Sequence, residues 1–388
     1  MTGAATVEAV AALSCLGDYA AMVARLAATR PQAVLTPTPN GPCGFVEDDL
    51  LASPHGAARG DTRAERMILA LLAQLEPALG ELLSSTDPTR VAVIVGTSAG
   101  GIAEAESNRE PGHRFGPGYD FRFQRLGHLA RYTADAIGAR GLVAGTSTAC
   151  TSGARAIGLA MRWLDLGWCD LAVAGGVDAR CEMTARGFAA LEVVSENYCR
   201  PFDARRDGIN LGEGGALLIL SRGDRSRGEV RVVGYADAMD AWHASTPHPE
   251  GRGIAAAMTG ALAMAGCSAD DIGYVNMHGT ATVLNDAMEA RAVREVIGPN
   301  VPVSSTKALT GHTLAGAGAL EAAICHAVLS GDVDALPVQH GHDTLDPAIG
   351  PLAVVTRDGR SLERPFVVSN SCGFGGHNTA LVMVDQDH

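Results

Sequence analysis

Short apolar runs recur along the chain with little polar alternation: VAVIVG (91–96), LAVAGG (171–176), GALLIL (215–220), VRVVGYA (230–236), YVNMH (274–278), VPVSS (301–305) and FVVSNS (366–371). Runs of this length predict strands, and the missing alternation predicts a sheet buried on both faces. Between them lie longer helical stretches: the run after Arg63, the run after Ser152, and Leu314 to Leu329. Strands and helices that alternate in this way predict an α/β fold.

The two halves read as copies. LVAGTSTACTSGARAIGLAM in the first parallels VPVSSTKALTGHTLAGAGALEAAICHAVL in the second: a strand, a small polar turn, then a Gly/Ala-rich helix. GEGGALLIL (212–220) likewise parallels GFGGHNTALVMV (373–384). Two segment types repeated in the same order predict a duplication. Its joint is expected near Ser221–Glu229, where SRGDRSRGE is short and charged, giving halves 1–228 and 229–388.

Composition narrows the classes. A hydrophobic content of 47% over 388 residues supports a large core. The formal charge of −13 argues against a general nucleic-acid binder, which needs Lys and Arg for phosphates. Nine cysteines without CxxC pairs read as reduced thiols. The first positive side chain is Arg25, and no apolar run approaches the roughly 18 residues of a membrane span. A cytoplasmic protein without a span is expected.

Cys150 follows a short apolar strand and precedes ARAIGLAMRWLDLG, a largely apolar helix. A thiol on a sharp turn at a helix N-terminus meets free N–H groups and the positive end of the dipole, which favour a thiolate. Cys15, Cys43, Cys169, Cys181, Cys199, Cys267 and Cys325 read as small core residues instead. His278 ends a strand in YVNMHGTAT, and His312 lies on a turn in SSTKALTGHTLAGAG, five residues after Lys307. Ends of strands are where ligand sites form in open α/β sheets. Neither histidine has a second ligand at metal-site spacing, so no metal is expected. SNSCGFGGHN (369–378) is a further strand exit, and its backbone N–H groups can meet an oxyanion.

These segments together resemble the β-ketoacyl synthases of the thiolase-like superfamily. TACTSG resembles the family's nucleophile motif, NMHGTAT its first histidine motif and SSTKALTGH its lysine–histidine motif. SNSCGFGGHN resembles its C-terminal glycine loop, and RPFDARRDGINLGEGG (200–215) a further family segment. The resemblance implies a five-layered αβαβα sandwich. It implies an acyltransferase that joins a Cys-bound acyl group to malonyl-carrier with loss of carbon dioxide, in fatty-acid or specialised polyketide or polyene synthesis. Cys150 is then the nucleophile, His278 and His312 hold the malonyl thioester carbonyl, and Lys307 with Glu321 orders the site. The N–H groups of Cys150 and Phe374 form the oxyanion hole, the Phe374 ring is the gate, and Thr280 and Thr282 bind the pantetheine arm. No cofactor is implied beyond the phosphopantetheine of acyl carrier protein. A homodimer, or a heterodimer with a ketosynthase-like subunit, is implied, joined through a strand near Cys150.

Departures from the family pattern fall near the gate. Cys372 stands where an aromatic is usual, and Ala281 and Asn285 replace common glycines; a smaller residue 372 is expected to alter acyl-chain range. Asp286 and Glu289 read as the D-x-x-E of a helix capping box, a structural role. Two alternatives remain: a thiolase-type acyl-CoA acyltransferase, or the active member of a heterodimer with a chain-length-factor-like subunit. Because the carriers are acidic and this chain is too, docking needs local cations. Arg59, Arg63 and Arg66 on one helix side, with Arg205 and Arg206, are expected to supply them.

Overall fold

The computed structural model describes residues 3–28, 33–51, 62–112, 114–222, 230–356 and 360–385. Its main elements in chain order are β1 (Ala5–Ser14), α1 (Arg63–Ser85), β2 (Val91–Gly96), α2 (His128–Ile137), β3 (Val143–Thr146), α3 (Ser152–Asp165), β4 (Leu171–Asp178) and β5 (Gly214–Arg222). There follow β6 (Val230–Met239), α4 (Arg252–Ala265), β7 (Ile272–Asn276), α5 (Val283–Val296), β8 (Pro302–Ser304), α6 (Ala317–Leu329), β9 (Ala353–Val354), β10 (Phe366–Cys372) and β11 (His377–Asp385).

The hydrogen-bonded order is β9-β8-β7-β10-β11-β6-β1-β5-β4-β2-β3. On one side, β1-β5-β4-β2-β3 runs antiparallel for its first two pairings and parallel for the next two. On the other, β6-β11-β10-β7-β8 does the same. Counted along the chain within each half, and leaving out the two-residue edge strand β9, both orders are 1-5-4-2-3, the same path laid twice. The sheets of the two halves join at β1 and β6 through the pairs Ala5–Val232 and Thr6–Arg231, and the halves also share the apolar layer around α3 and α6. The joint expected at Ser221–Glu229 lies mostly outside the described residues, as does Arg59.

Strand side chains alternate between two apolar layers, as a sheet covered on both faces requires. On β2, Val91, Val93 and Val95 face α1 and α2, whereas Ala92 and Ile94 face α3 and α6. On β11, Leu381 and Met383 join that same central layer, and Ala380, Val382 and Val384 pack with α4 and α5. The layers are therefore α1/α2, sheet, α3/α6, sheet, α4/α5: a thiolase-like five-layered αβαβα sandwich. The central α6 is apolar on nearly every side, which suits a helix enclosed between two sheets.

The sequence reading of membrane spans needs correcting. The 23-residue α1 is long and apolar enough to cross a membrane by length and composition. Its Met67, Ile68, Leu71, Leu72, Leu75 and Leu79 instead pack against the outer face of the first sheet. The strand expected at 274–278 also ends early, at Asn276, so His278 stands in the turn beyond it.

Candidate active site

Between β3 and α3 the chain bends at Ala149, whose φ of 54° puts a non-glycine residue in the left-handed region. Ser152 Oγ holds the bend, donating to the Ala149 carbonyl at 2.6 Å and accepting the Thr148 N–H at 2.8 Å. Cys150 sits on this bend, buried.

His312 follows the short helix Lys307–Thr310 of the second half but is fixed by the first. Its N–H donates to the Asn210 carbonyl at 2.7 Å, and its own carbonyl accepts from Gly212 at 3.0 Å. This approach needs glycine at both sides. A Cβ on Gly311, φ 69°, would lie 2.3 Å from the Leu211 carbonyl oxygen, and one on Gly212 2.5 Å from that of Thr310. The segment 200–215 thus acts as a cradle for His312. The outcome is His312 Nε2 at 3.1 Å from Cys150 Sγ. The His278 ring stands edge-on to His312, with centroids 5.1 Å apart.

His278 is braced by Glu289, whose carboxylate accepts the N–H groups of His278 and Gly279 at 2.7 and 2.8 Å. Asp286 accepts those of Phe202 at 2.8 Å and Ala281 at 3.1 Å, two residues with φ of 64°. Both acids are structural, as the sequence suggested, but not as a capping box. The helix opens at Val283 with Thr282 as its cap, so Asp286 and Glu289 fall within its first two turns, buried. Buried Lys307 pairs with buried Glu321.

Burial governs the electrostatics. Desolvation, with the Lys307 charge adding to it, lowers both histidines well below their usual range, so both rings are neutral at pH 7. Burial also pushes the Cys150 thiol up, to about 11, against the lowering influence of Lys307 and of the Phe374 and Cys150 N–H groups. This corrects the thiolate expectation: removal from water outweighs the helix end, and the resting sulfur keeps its proton. Those two N–H groups directed at Sγ are the pair the sequence assigned to an oxyanion hole. Burial likewise raises the Glu321 carboxyl to about 7, opposed by Lys307. The ligand atoms of Cys150, His278 and His312 lie within 4.8 Å of one another, a donor set that sequence spacing did not reveal. The Lys307 ammonium beside them opposes a cation.

A cavity of about 340 Å³ runs from these three residues to a rim that includes exposed Leu191, Val283 and Leu284. Thr280, Thr282, Phe374 and Cys372 line it. The two threonine hydroxyls are 3.0 Å apart, and the Phe374 ring packs on Phe188 with centroids at 5.3 Å.

The expected docking arginines are placed differently. Arg63 is spent on buried Glu213, with Nε 3.0 Å from both carboxylate oxygens, and on Asp48 at 2.7 Å. Arg206 is buried, pairs with Asp346, and donates to the Val283 carbonyl at 3.1 Å. Both hold the fold together and present no free charge. Arg205 is exposed but shared between Asp203 and Asp343, and Arg66 is half-buried.

Sequence reasoning missed Asp178. Its carboxylate accepts from Thr97 Oγ1 at 2.6 Å, the N–H groups of Ser98 and Ala99 at 2.9 Å each, and that of Ala315 at 2.9 Å. Burial pushes this carboxyl up, and the donors, which are all its partners, oppose that by favouring the anion. An acid closing an otherwise apolar strand, LAVAGGVD, was the available signal.

The sequence matches "Beta-ketoacyl synthase, N-terminal domain" over residues 44–225 and "Beta-ketoacyl synthase, C-terminal domain" over 230–338. The chain belongs to the β-ketoacyl synthase family. This synthase is 35% identical to 3-oxoacyl-[acyl-carrier-protein] synthase 2 of Synechocystis over 321 residues, 77% of this chain and 76% of the relative. It is 34% identical to a putative polyketide β-ketoacyl synthase 1 of Streptomyces halstedii, covering 87% of this chain and 86% of that one. A ketosynthase (ApeO) solved with its chain length factor (ApeC), from Xenorhabdus doucetiae, superposes with a TM-score of 0.87 at 35% identity, covering 99% of this chain and 98% of that one. The synthase is therefore an acyltransferase of the condensing class.

Proposed function

We propose that the chain condenses a Cys150-bound acyl group with a malonyl unit delivered on acyl carrier protein. The observation that carries this reading is the 3.1 Å contact between His312 Nε2 and Cys150 Sγ, with neutral His278 beside it. Cys150 Sγ attacks the acyl thioester, and its proton passes by way of His312 to the departing carrier thiol. The malonyl thioester then enters, and its carbonyl oxygen lies between the two imidazoles. Loss of carbon dioxide leaves an enolate, whose oxygen the neutral rings hold by N–H donation. The enolate carbon attacks the acyl carbonyl, and the resulting oxyanion takes the N–H groups of Cys150 and Phe374. Collapse releases the Cys150 sulfur and the lengthened ketoacyl chain. Lys307 with Glu321 holds the field around the histidines, and Thr280 and Thr282 receive the pantetheine arm.

We assign the working unit to a heterodimer of this chain with a chain-length-factor-like partner, in a specialised polyketide or polyene route in the cytoplasm. The full-length likeness to a ketosynthase solved with such a partner supports this. This chain would be the active member, since it keeps Cys150 and both histidines. Membership of the synthase family favours this over a thiolase. Incubation with malonyl-carrier and a panel of acyl-carriers, followed by mass spectrometry, tests the reading. A ketoacyl product two carbons longer is expected; condensation only with acyl-CoA, without decarboxylation, would overturn it.

A further inference from the structure

The cavity that reaches Cys150 is lined by Glu192, Asp207 and Asp240 and by no lysine or arginine. Across a shared wall of Thr246, Pro247 and Leu284 lies a second groove, of about 530 Å³, with the opposite character. Its lining includes Arg291 and Arg294 and no carboxylate, with Trp242 and Leu284 as apolar contacts. Trp242 and Leu284 are both exposed, at 57% and 58%. Arg291 is half in solvent, and its nearest ion-pair contact is to Glu250 at 4.0 Å, at the limit of such a pair. Arg294 is steadied by donating to the Ile349 carbonyl.

We infer that this groove seats the acidic face of the carrier protein, with Arg291 and Arg294 meeting its carboxylates and Trp242 and Leu284 packing at the centre of the contact. This rests on the carrier-dependent reading above and adds the surface it uses. A partner that threads its arm down the cavity must rest its body beside the rim, and the groove begins at that rim. On a chain of net charge −13, two arginines without a lining carboxylate focus an attractive field there. Exposed aromatic and arginine residues are the types that dominate binding energy at interfaces. Of the arginines first expected to dock, the four described ones are held in ion pairs or half-buried, whereas this pair lines the groove that shares a wall with the cavity.

The test compares one acyl group on carrier protein with the same group on phosphopantetheine and on a phosphate-free pantetheine thioester. Arg291→Glu should raise KM for the carrier substrate about fivefold and flatten its salt dependence, since rim charges act on encounter. Trp242→Ala should raise it as well. Both small substrates should turn over as before, which also shows that the variants fold. Apo-carrier should inhibit the unaltered enzyme competitively and inhibit Arg291→Glu less. An unchanged carrier KM in both variants would overturn the inference, as would equal losses with all three substrates. A loss with the phosphopantetheine thioester but not the phosphate-free one would assign the arginines to the phosphate instead. Arg205→Glu reproducing the effect while Arg291→Glu does not would move docking elsewhere. Failure of the unaltered enzyme to use any carrier substrate would count against the proposed function itself.

Discussion

Cys150 keeps its proton because burial outweighs every group that favours the thiolate, and this makes its reactivity measurable. Alkylation of the substrate-free enzyme by iodoacetamide at Cys150 should still be rising at pH 9, since the folded thiol titrates near 11. A plateau below pH 8 would mean that the helix end and Lys307 prevail after all. The half-reactions should separate by residue. Cys150→Ala should lose acyl loading, while Cys150→Gln should still decarboxylate malonyl-carrier at a rate flat from pH 6 to 8, because both imidazoles stay neutral there. His312→Ala should load acyl groups more slowly, because His312 takes the Cys150 proton, and should also condense about 10² to 10³ times more slowly, the usual loss for one such donor. A second residue-level case is Ala281, with φ of 64° where the family commonly has glycine. Left-handed backbone strains a side chain, so Ala281→Gly should stabilise the fold by about 0.5–1 kcal/mol in denaturant unfolding. The three side chains of the candidate site were legible because thiol and imidazoles on strand exits have little other use. Asp178 was not, because its donors lie some 80 and 137 positions away in sequence.

At the level of elements, Asp178 ties the end of β4 to the loop after β2 and to the turn that follows His312. Asp178→Asn keeps the shape but replaces one acceptor oxygen by an amide that faces N–H donors. A loss of about 2–4 kcal/mol of stability is expected, within the range for breaking a buried charged hydrogen-bond network. If acyl loading and condensation both fell while the melting temperature held, Asp178 would be positioning His312 alone. Most sheet strands were legible from unbroken apolar runs, but β1 was not: ATVEAVAALS carries Glu8 in mid-run and lacks a bounding turn signal on its N-terminal side. α4 escaped notice because RGIAAAMTGALAMA is apolar almost throughout, interrupted by glycine, and so shows little periodic contrast.

Across the described residues, the sheet ends at β3, which pairs with β2 on one side only. The Leu142 and Thr146 carbonyls accept from Val93 and Thr97 of the neighbouring strand segment, so by alternation Val143 and Gly145 turn their N–H and C=O groups outward. Exposed Leu126 and Leu142 lie close by. An open edge beside apolar side chains is a template for a further strand. Val143→Pro removes one outward N–H, and sedimentation should then show dissociation of the unit that the unaltered enzyme forms. A unit of unchanged mass would place the contact elsewhere. The duplicated path was legible in paired segments, whereas the backbone joint between the two sheets depends on β1, which the sequence did not disclose.

The site itself is divided between the two halves. The thiol belongs to the first half, both imidazoles belong to the second, and the last strand, β11, lies between β6 and β10 rather than at an edge. A nascent chain that has emerged as far as Arg222 holds the strands of the first sheet and its sulfur, yet has no group to draw the proton away. A chain stopped there would therefore carry the thiol without either imidazole, and the proposed chemistry waits on the second half.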